Sequence, residues 1–280
     1  MKTLFSLLTV ASLATGALLS SKAHAIFLGE IAAENQFPAS IAIMIPDAEE
    51  SEGLSHHCTG ARIGTRFIMT AAHCFYKPSF DGVAAATLHP AFIPGKKFVI
   101  SSGVQLWKRS PDYKSKRFNL TVKKIYIHPS YKVEYLNESL SSPFNFTDLA
   151  ILEVAETKLS DSIPLAKVDF TEVSKKDKLT IAGFGVVWEK GMPEFLKFAP
   201  TKFQNLAGGM IVLEAGVAMA GMAPASIMTG DSGGPLYSMK ADGLNVVGIN
   251  SRLGFRTQFM TRIDKSAPGN VSEWLKQFLK

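Results

Sequence analysis

From Phe37 onward the apolar residues fall in short β-prone runs separated by turn residues. Residues 39–45, 65–70, 97–101, 121–127, 149–154, 179–184, 210–213 and 244–249 each read as a strand. No long helical periodicity lies between them, so the body is predicted to be all-β, a sandwich or a barrel. One helix is legible at the end of the chain. Val271, Trp274, Leu275, Phe278 and Leu279 recur at helical spacing and make one apolar stripe, and Asn270 with Glu273 offers an N-cap and its capping-box partner. Two polar stretches, 77–95 and 133–146, read as surface loops.

The first 25 residues follow a different pattern. Lys2 precedes an apolar run from Leu4 to Leu19, and Ala23-His24-Ala25 then presents small residues around a cleavage point. Ser6, Thr9, Ser12, Thr15 and Gly16 interrupt the run, which falls short of the ~20 apolar residues of a spanning helix. The segment 1–25 is therefore expected to be a removable signal peptide, and the mature product a secreted or periplasmic protein without a membrane span. Its loss takes Lys2 and Lys22 with it, so the formal charge falls from +6 to +4. The remaining Lys and Arg are scattered, which argues against nucleic acid as a partner.

Apolar residues are 46% and charged residues 19% of the chain, ordinary values for a packed globule. There are two cysteines, Cys58 and Cys74. In an oxidising compartment such a pair favours a disulfide, with a metal site that recruits His56, His57 or His73 as the alternative. Neighbouring histidines on a strand point to opposite faces, so His56 and His57 cannot both join one cluster.

Chemistry concentrates in Gly230-Asp231-Ser232-Gly233-Gly234-Pro235. A serine hydroxyl is a weak nucleophile until a base takes its proton, and flanking glycines let backbone N–H groups turn toward a reacting carbonyl. The string also fits the nucleophile elbow of α/β-hydrolases, which needs a histidine after the serine. All six histidines here precede Ser232, so the order must be His, Asp, Ser. His73 follows the apolar run Phe67-Ile68-Met69 at a strand end. Asp148 lies among Leu149, Ala150, Ile151 and Leu152, and a carboxylate in such company wants a partner.

Cys58-x-Gly60, Thr70-Ala71-Ala72-His73-Cys74, Asp148-Leu149-Ala150-Ile151-Leu152, Gly183-Phe184-Gly185 and the serine string occur in this order. In these segments the chain resembles the chymotrypsin/trypsin-like serine proteases. His128-Pro129-Ser130-Tyr131, Gly248-Ile249-Asn250-Ser251 and the C-terminal helix add weaker matches. The resemblance implies two Greek-key β-barrels, over 26–156 (with the N-terminal segment) and 157–266, and a helix over 267–280. It implies a catalytic triad of His73, Asp148 and Ser232, an oxyanion hole from the N–H groups of Gly230 and Ser232, and support of Asp148 by Ser251. It also implies a Cys58–Cys74 disulfide and an ion pair between a freed Ile26 ammonium and Asp231. Neither cofactor nor metal is expected; protein or peptide substrates and protein inhibitors are the partners, with the enzyme a monomer.

At the position matching the substrate-pocket floor stands Ser226, with Ile227 beside it. Arg252 and Leu253 follow Ser251 where the family usually has Trp and Gly, and Thr257 or Gln258 takes another position that is often Gly. The resemblance therefore speaks against Arg/Lys specificity and for small apolar side chains at P1. A catalytically impaired binding protein on the same fold is the competing expectation.

Overall fold

The computed structural model describes residues 26–50, 52–76, 87–107, 114–131, 147–156, 159, 161–185, 195–215, 225–254 and 256–279. The expected signal peptide, most of the first loop (77–86) and all of the second (133–146) lie outside the described residues.

The first set of strands is β2 (Ser40–Pro46), β3 (Leu54–Arg62), β4 (Phe67–Thr70), β5 (Lys97–Ser102), β6 (Lys116–Ile127) and β7 (Ala150–Val154). They pair antiparallel in the order β2-β3-β4-β7-β6-β5, and β5 returns to β2, which closes a barrel. Side chains two apart point the same way along a strand. Thus Ile41 and Ile43, Phe98 and Ile100, Leu120 and Val122, and Leu152 and Val154 share one buried cluster. The intervening Ala42, Met44 and Ile151 face outward into a second cluster shared with the other half of the protein. Both faces of β2 are thus covered, which is why it reads as a nearly unbroken apolar run. Full burial of an Ile or Leu is worth about 2 kcal/mol, so these layers dominate the stability of the barrel.

The second half is built from β8 (Leu179–Gly183), β9 (Lys197–Thr201), β10 (Phe203–Ala207), β11 (Met210–Glu214), β12 (Pro235–Lys240), β13 (Gly243–Leu253) and β14 (Thr257–Arg262). Its pairing runs β9-β8-β12-β13-β14-β11-β10. Lys202 alone separates β9 from β10, so the two outer strands are halves of one bent chain segment and the sheet curls onto itself. The short β1 (Glu30–Ile31) adds to the free side of β9. The N-terminal stretch, grouped with the first barrel in the sequence reading, therefore packs on the second half, where Phe27 also bridges Ser226.

The final helix, α1 (Val271–Lys276), docks on the first barrel. Phe278 lies 5.4 Å from Phe67 and 5.0 Å from Tyr126, and Trp274 stands edge-on to His128 at 5.0 Å. The expected capping box is not formed. Asn270 adopts left-handed geometry (φ 56°) and its side chain makes no cap bond. Apolar docking, not capping, holds this helix.

β3 carries two histidines into different surroundings. His56 packs toward Phe184 in the second half, whereas the His57 ring sits between His89 and Phe92, its Nε2–H donating to the Cys74 carbonyl. Burial lowers the pKa of His56 to about 3 and of His57 to about 4. Unfolded histidines take up protons near pH 6.5, so below that value the unfolded chain binds protons that the native state refuses. Their stabilising effect is present above pH 6.5 and is lost as pH falls toward 4 and then 3. We expect urea midpoints to drop over this range and the drop to be smaller in His56→Gln. The slope difference should not exceed about 1.4 kcal/mol per pH unit. Identical pH dependence of the two proteins would contradict it.

Candidate active site

Five sequence-predicted residues meet where the two halves touch. His73 lies in a 3-10 turn (Ala72–Phe75) that follows β4, and Asp148 immediately precedes the strand segment that enters β7. β4 and β7 are neighbours in the barrel, with Thr70 opposite Ala150, so the two side chains emerge at the same rim. His73 Nδ1 is 2.7 Å from Asp148 Oδ2, and the backbone N–H of His73 donates to Asp148 Oδ1 at 3.0 Å.

The second half completes the cage around this carboxylate. Ser251 is an extra residue between Asn250 and Arg252 in the β13–β14 register, a bulge that turns its side chain out of the ladder. Its hydroxyl donates to Asp148 Oδ2 at 2.6 Å, and Thr261 Oγ1 donates to the Asp148 carbonyl at 3.0 Å. Burial pushes the Asp148 carboxyl upward, but the His73 charge and the His73 and Ser251 hydrogen bonds outweigh it and leave it below the ordinary carboxylate range. For His73, burial works against the charged form. The charge and hydrogen bond of Asp148 together exceed it, with Arg252 opposing, so the imidazole pKa ends above its ordinary value.

The serine loop is held against the same rim by Thr59, a residue of β3 that the sequence reading passed over. Its N–H donates to the Ser232 carbonyl at 2.9 Å and its hydroxyl to the Gly230 carbonyl at 2.8 Å, while Thr70 Oγ1 donates to the Thr59 carbonyl at 2.8 Å. Gly233 is packed so closely that a Cβ there would collide with Thr70 Oγ1 and the Thr59 carbonyl. Cys58, adjacent to Thr59, is disulfide-bonded to Cys74, adjacent to His73. Both sulfurs are thereby committed, and the alternative of a thiolate metal site with His56, His57 or His73 falls away. Ser232 is partly exposed. Among the described residues its hydroxyl makes no hydrogen bond to His73. The N–H groups of Gly230 and Ser232 are likewise not taken up by another group there, and Gly230 has the positive φ (92°) that glycine tolerates.

Behind the serine, Asp231 is fully buried. One of its oxygens accepts from Gly185 N–H at 2.6 Å, the other from Met228 N–H at 2.8 Å and from Ile26 N–H at 3.4 Å. A side chain at Gly183 or Gly185 would strike this carboxylate, which explains the Gly-Phe-Gly string. Burial raises its pKa to about 7 against the pull of these three backbone donors. Ile26 itself is buried in the second-half cluster with Ile181, Leu213 and Ile227.

The residues expected at the substrate pocket lie as follows. Ser226 and Ile227 are buried and Leu253 is 41% exposed. Of the two candidates at the further pocket position, Gln258 is the one enclosed. It is fully buried, its Oε1 accepting from Ile227 N–H and its Nε2 donating to Thr201 Oγ1 and the Glu214 and Ala225 carbonyls.

The chain is similar in sequence to known proteins. Granzyme M of Rattus norvegicus is 25% identical over 250 residues, which cover 80% of this chain and 80% of that protein. Trypsin of Phaedon cochleariae is 26% identical over 210 residues, 71% of this chain and 69% of its own. Transmembrane protease serine 11B of Homo sapiens is 26% identical over 261 residues, and this chain spans 62% of its length. The trypsin family model matches residues 26–268, and the chain belongs to the trypsin family of serine proteases.

Proposed function

We propose that the mature protein is a secreted or periplasmic serine endopeptidase, active as a monomer, with Ser232 as nucleophile, His73 as general base and Asp148 as the group that orients and charges the base. The observation that carries this reading is the 2.7 Å contact between His73 Nδ1 and a buried Asp148 carboxylate that Ser251 also binds. With Nδ1–H donated to Asp148, the lone pair of Nε2 is left to receive the Ser232 proton. Oγ then attacks the peptide carbonyl carbon, and the resulting oxyanion accepts hydrogen bonds from Gly230 and Ser232 N–H. The imidazolium returns the proton to the leaving amine, and water repeats the sequence to release the acid from the acyl-enzyme.

Activation follows from Ile26. A β-branched residue at φ 43° is strained, and that torsion exists only while residue 25 is attached. Cleavage after Ala25 removes the strain and turns the N–H beside Asp231 into an ammonium, which would ionise the carboxyl that burial otherwise raises to about 7. We infer that signal peptidase itself makes the active terminus. N-terminal sequencing of the exported protein should read Ile-Phe-Leu-Gly; any other start counts against this route.

The substrate preference rests on Gln258. Its buried amide is bonded to Thr201, Glu214 and the Ala225–Ile227 segment, so it stays in place at a position where the family often has glycine, which favours small apolar P1 residues in protein or peptide substrates. Gln258→Gly should raise kcat/KM for Phe or Tyr at P1 by about tenfold relative to Ala, the scale that pocket size commands. An unchanged ranking in a P1-varied peptide library would overturn the assignment.

A binding protein without activity is the second reading, favoured by the open Ser232–His73 contact. Fluorophosphonate labelling separates the two: wild type should be labelled and Ser232→Ala should not. Ser232→Ala and Asp148→Asn should each lower kcat by about 10⁴. Because the base works only when neutral and its pKa is raised, kcat/KM should fall as pH drops through a value above 6.5. Asp148→Asn should shift that limb to lower pH; an unmoved limb would remove Asp148 from its assigned role.

A further inference from the structure

Lys197 opens β9 as a charged residue, yet it is only 2% exposed and ranks among the largest fully buried side chains. Among the described residues no carboxylate lies within ion-pair distance of its ammonium. Among the described residues the ammonium donates one hydrogen bond, to the Gly29 carbonyl at 3.1 Å. Burial lowers its pKa to about 8. A lysine held in this state costs stability, so its place calls for a reason.

The reason lies three residues upstream of that carbonyl. Gly29 N–H donates to the Ile26 carbonyl at 2.7 Å, closing a tight turn over 26–29. A Cβ on Gly29 would come within 2.9 Å of Ile26, so the turn admits only glycine there. Leu28 within it has φ 60°, a left-handed value that a leucine does not adopt unaided. Such a turn persists only if its surroundings impose it. Ile26 burial and the Phe27–Ser226 bridge hold its first half, and the second half is held by β1–β9 pairing and by Lys197.

We propose that Lys197 is a positioning residue: by clamping the Gly29 carbonyl it fixes the turn that aims the Ile26 amine at Asp231, and through Asp231 it sets the Gly230–Ser232 loop. This rests on the Ile26–Asp231 activation reading above. It predicts that loss of the ammonium lowers turnover and frees the N-terminus while substrate binding is spared.

The test uses the mature enzyme, its Lys197→Met and Lys197→Arg variants, and amine modification by reductive methylation read by mass spectrometry. In wild type the Ile26 α-amine and Lys197 should be spared while Lys202, whose side chain is 81% exposed, reacts. In Lys197→Met the α-amine should become reactive, with kcat down about tenfold and KM within about twofold, a fraction of the loss expected for a missing oxyanion donor. Lys197→Arg should recover part of both. A protected α-amine or an unchanged kcat in Lys197→Met overturns the role of Lys197 and leaves the activation reading standing. A reactive α-amine in wild type overturns the activation reading itself. If Lys197→Met fails to fold, the wild-type result decides, since Lys197 modified as fast as Lys202 refutes the clamp.

Discussion

The arrangement turns on one buried carboxylate, that of Asp148, which belongs to the first barrel and is satisfied from both halves. His73 supplies two of its contacts from the adjoining rim and Ser251 of β13 the third, while Thr261 of β14 holds the Asp148 backbone carbonyl. An ionised group removed from water is tolerated only when its lone pairs are filled, so the two halves cannot separate without exposing an unmet demand. The same contacts bias the imidazole toward the tautomer that carries its proton on Nδ1. Interface stability and preparation of the proposed base are therefore one interaction.

A second buried carboxylate, Asp231, does for the serine loop what Asp148 does for the histidine. Its oxygens gather N–H groups from Gly185, Met228 and Ile26, three segments distant in sequence, and the loop between Gly230 and Gly234 takes its shape around it. Thr59 then ties that loop to the first barrel, beside the Cys58–Cys74 disulfide. Both reacting partners of the proposed mechanism are thus referenced to β3 and β4, which gives the cleft a common rigid floor.

Much of this was readable from the chain because the decisive residues sit in strings whose chemistry is local. The apolar runs of β2, β5, β7, β8 and β13 alternate or saturate as strands do, and the serine string and Thr-Ala-Ala-His are the strings from which the proposed nucleophile and base are read. What escaped notice depends on contacts the chain makes with itself at long range. β3 reads Leu-Ser-His-His-Cys-Thr-Gly-Ala-Arg, without an apolar period, because its His57 and Thr59 side chains are satisfied by carbonyls from the His73 turn and the serine loop. β9 contains Pro200 and opens on a lysine, both discouraging signs for a strand, yet Pro200 is exposed and Lys197 finds a carbonyl. Gln258 was ambiguous with Thr257 until the strand register placed it opposite Leu213 and Leu253, facing Ile227. Asn270 looked like a cap because composition cannot reveal that its backbone turns left-handed.

The claim most open to direct attack is the protonation geometry of His73. Nitrogen-15 NMR of histidine-labelled protein, with Ser232→Ala to prevent self-digestion and His73 assigned by substitution, reports which ring nitrogen holds the proton. The account predicts, above the pH where the imidazole titrates, a proton on Nδ1 in a far-downfield resonance that disappears in Asp148→Asn, and a bare Nε2. A proton residing on Nε2, with Nδ1 unprotonated and no dependence on Asp148, would contradict it.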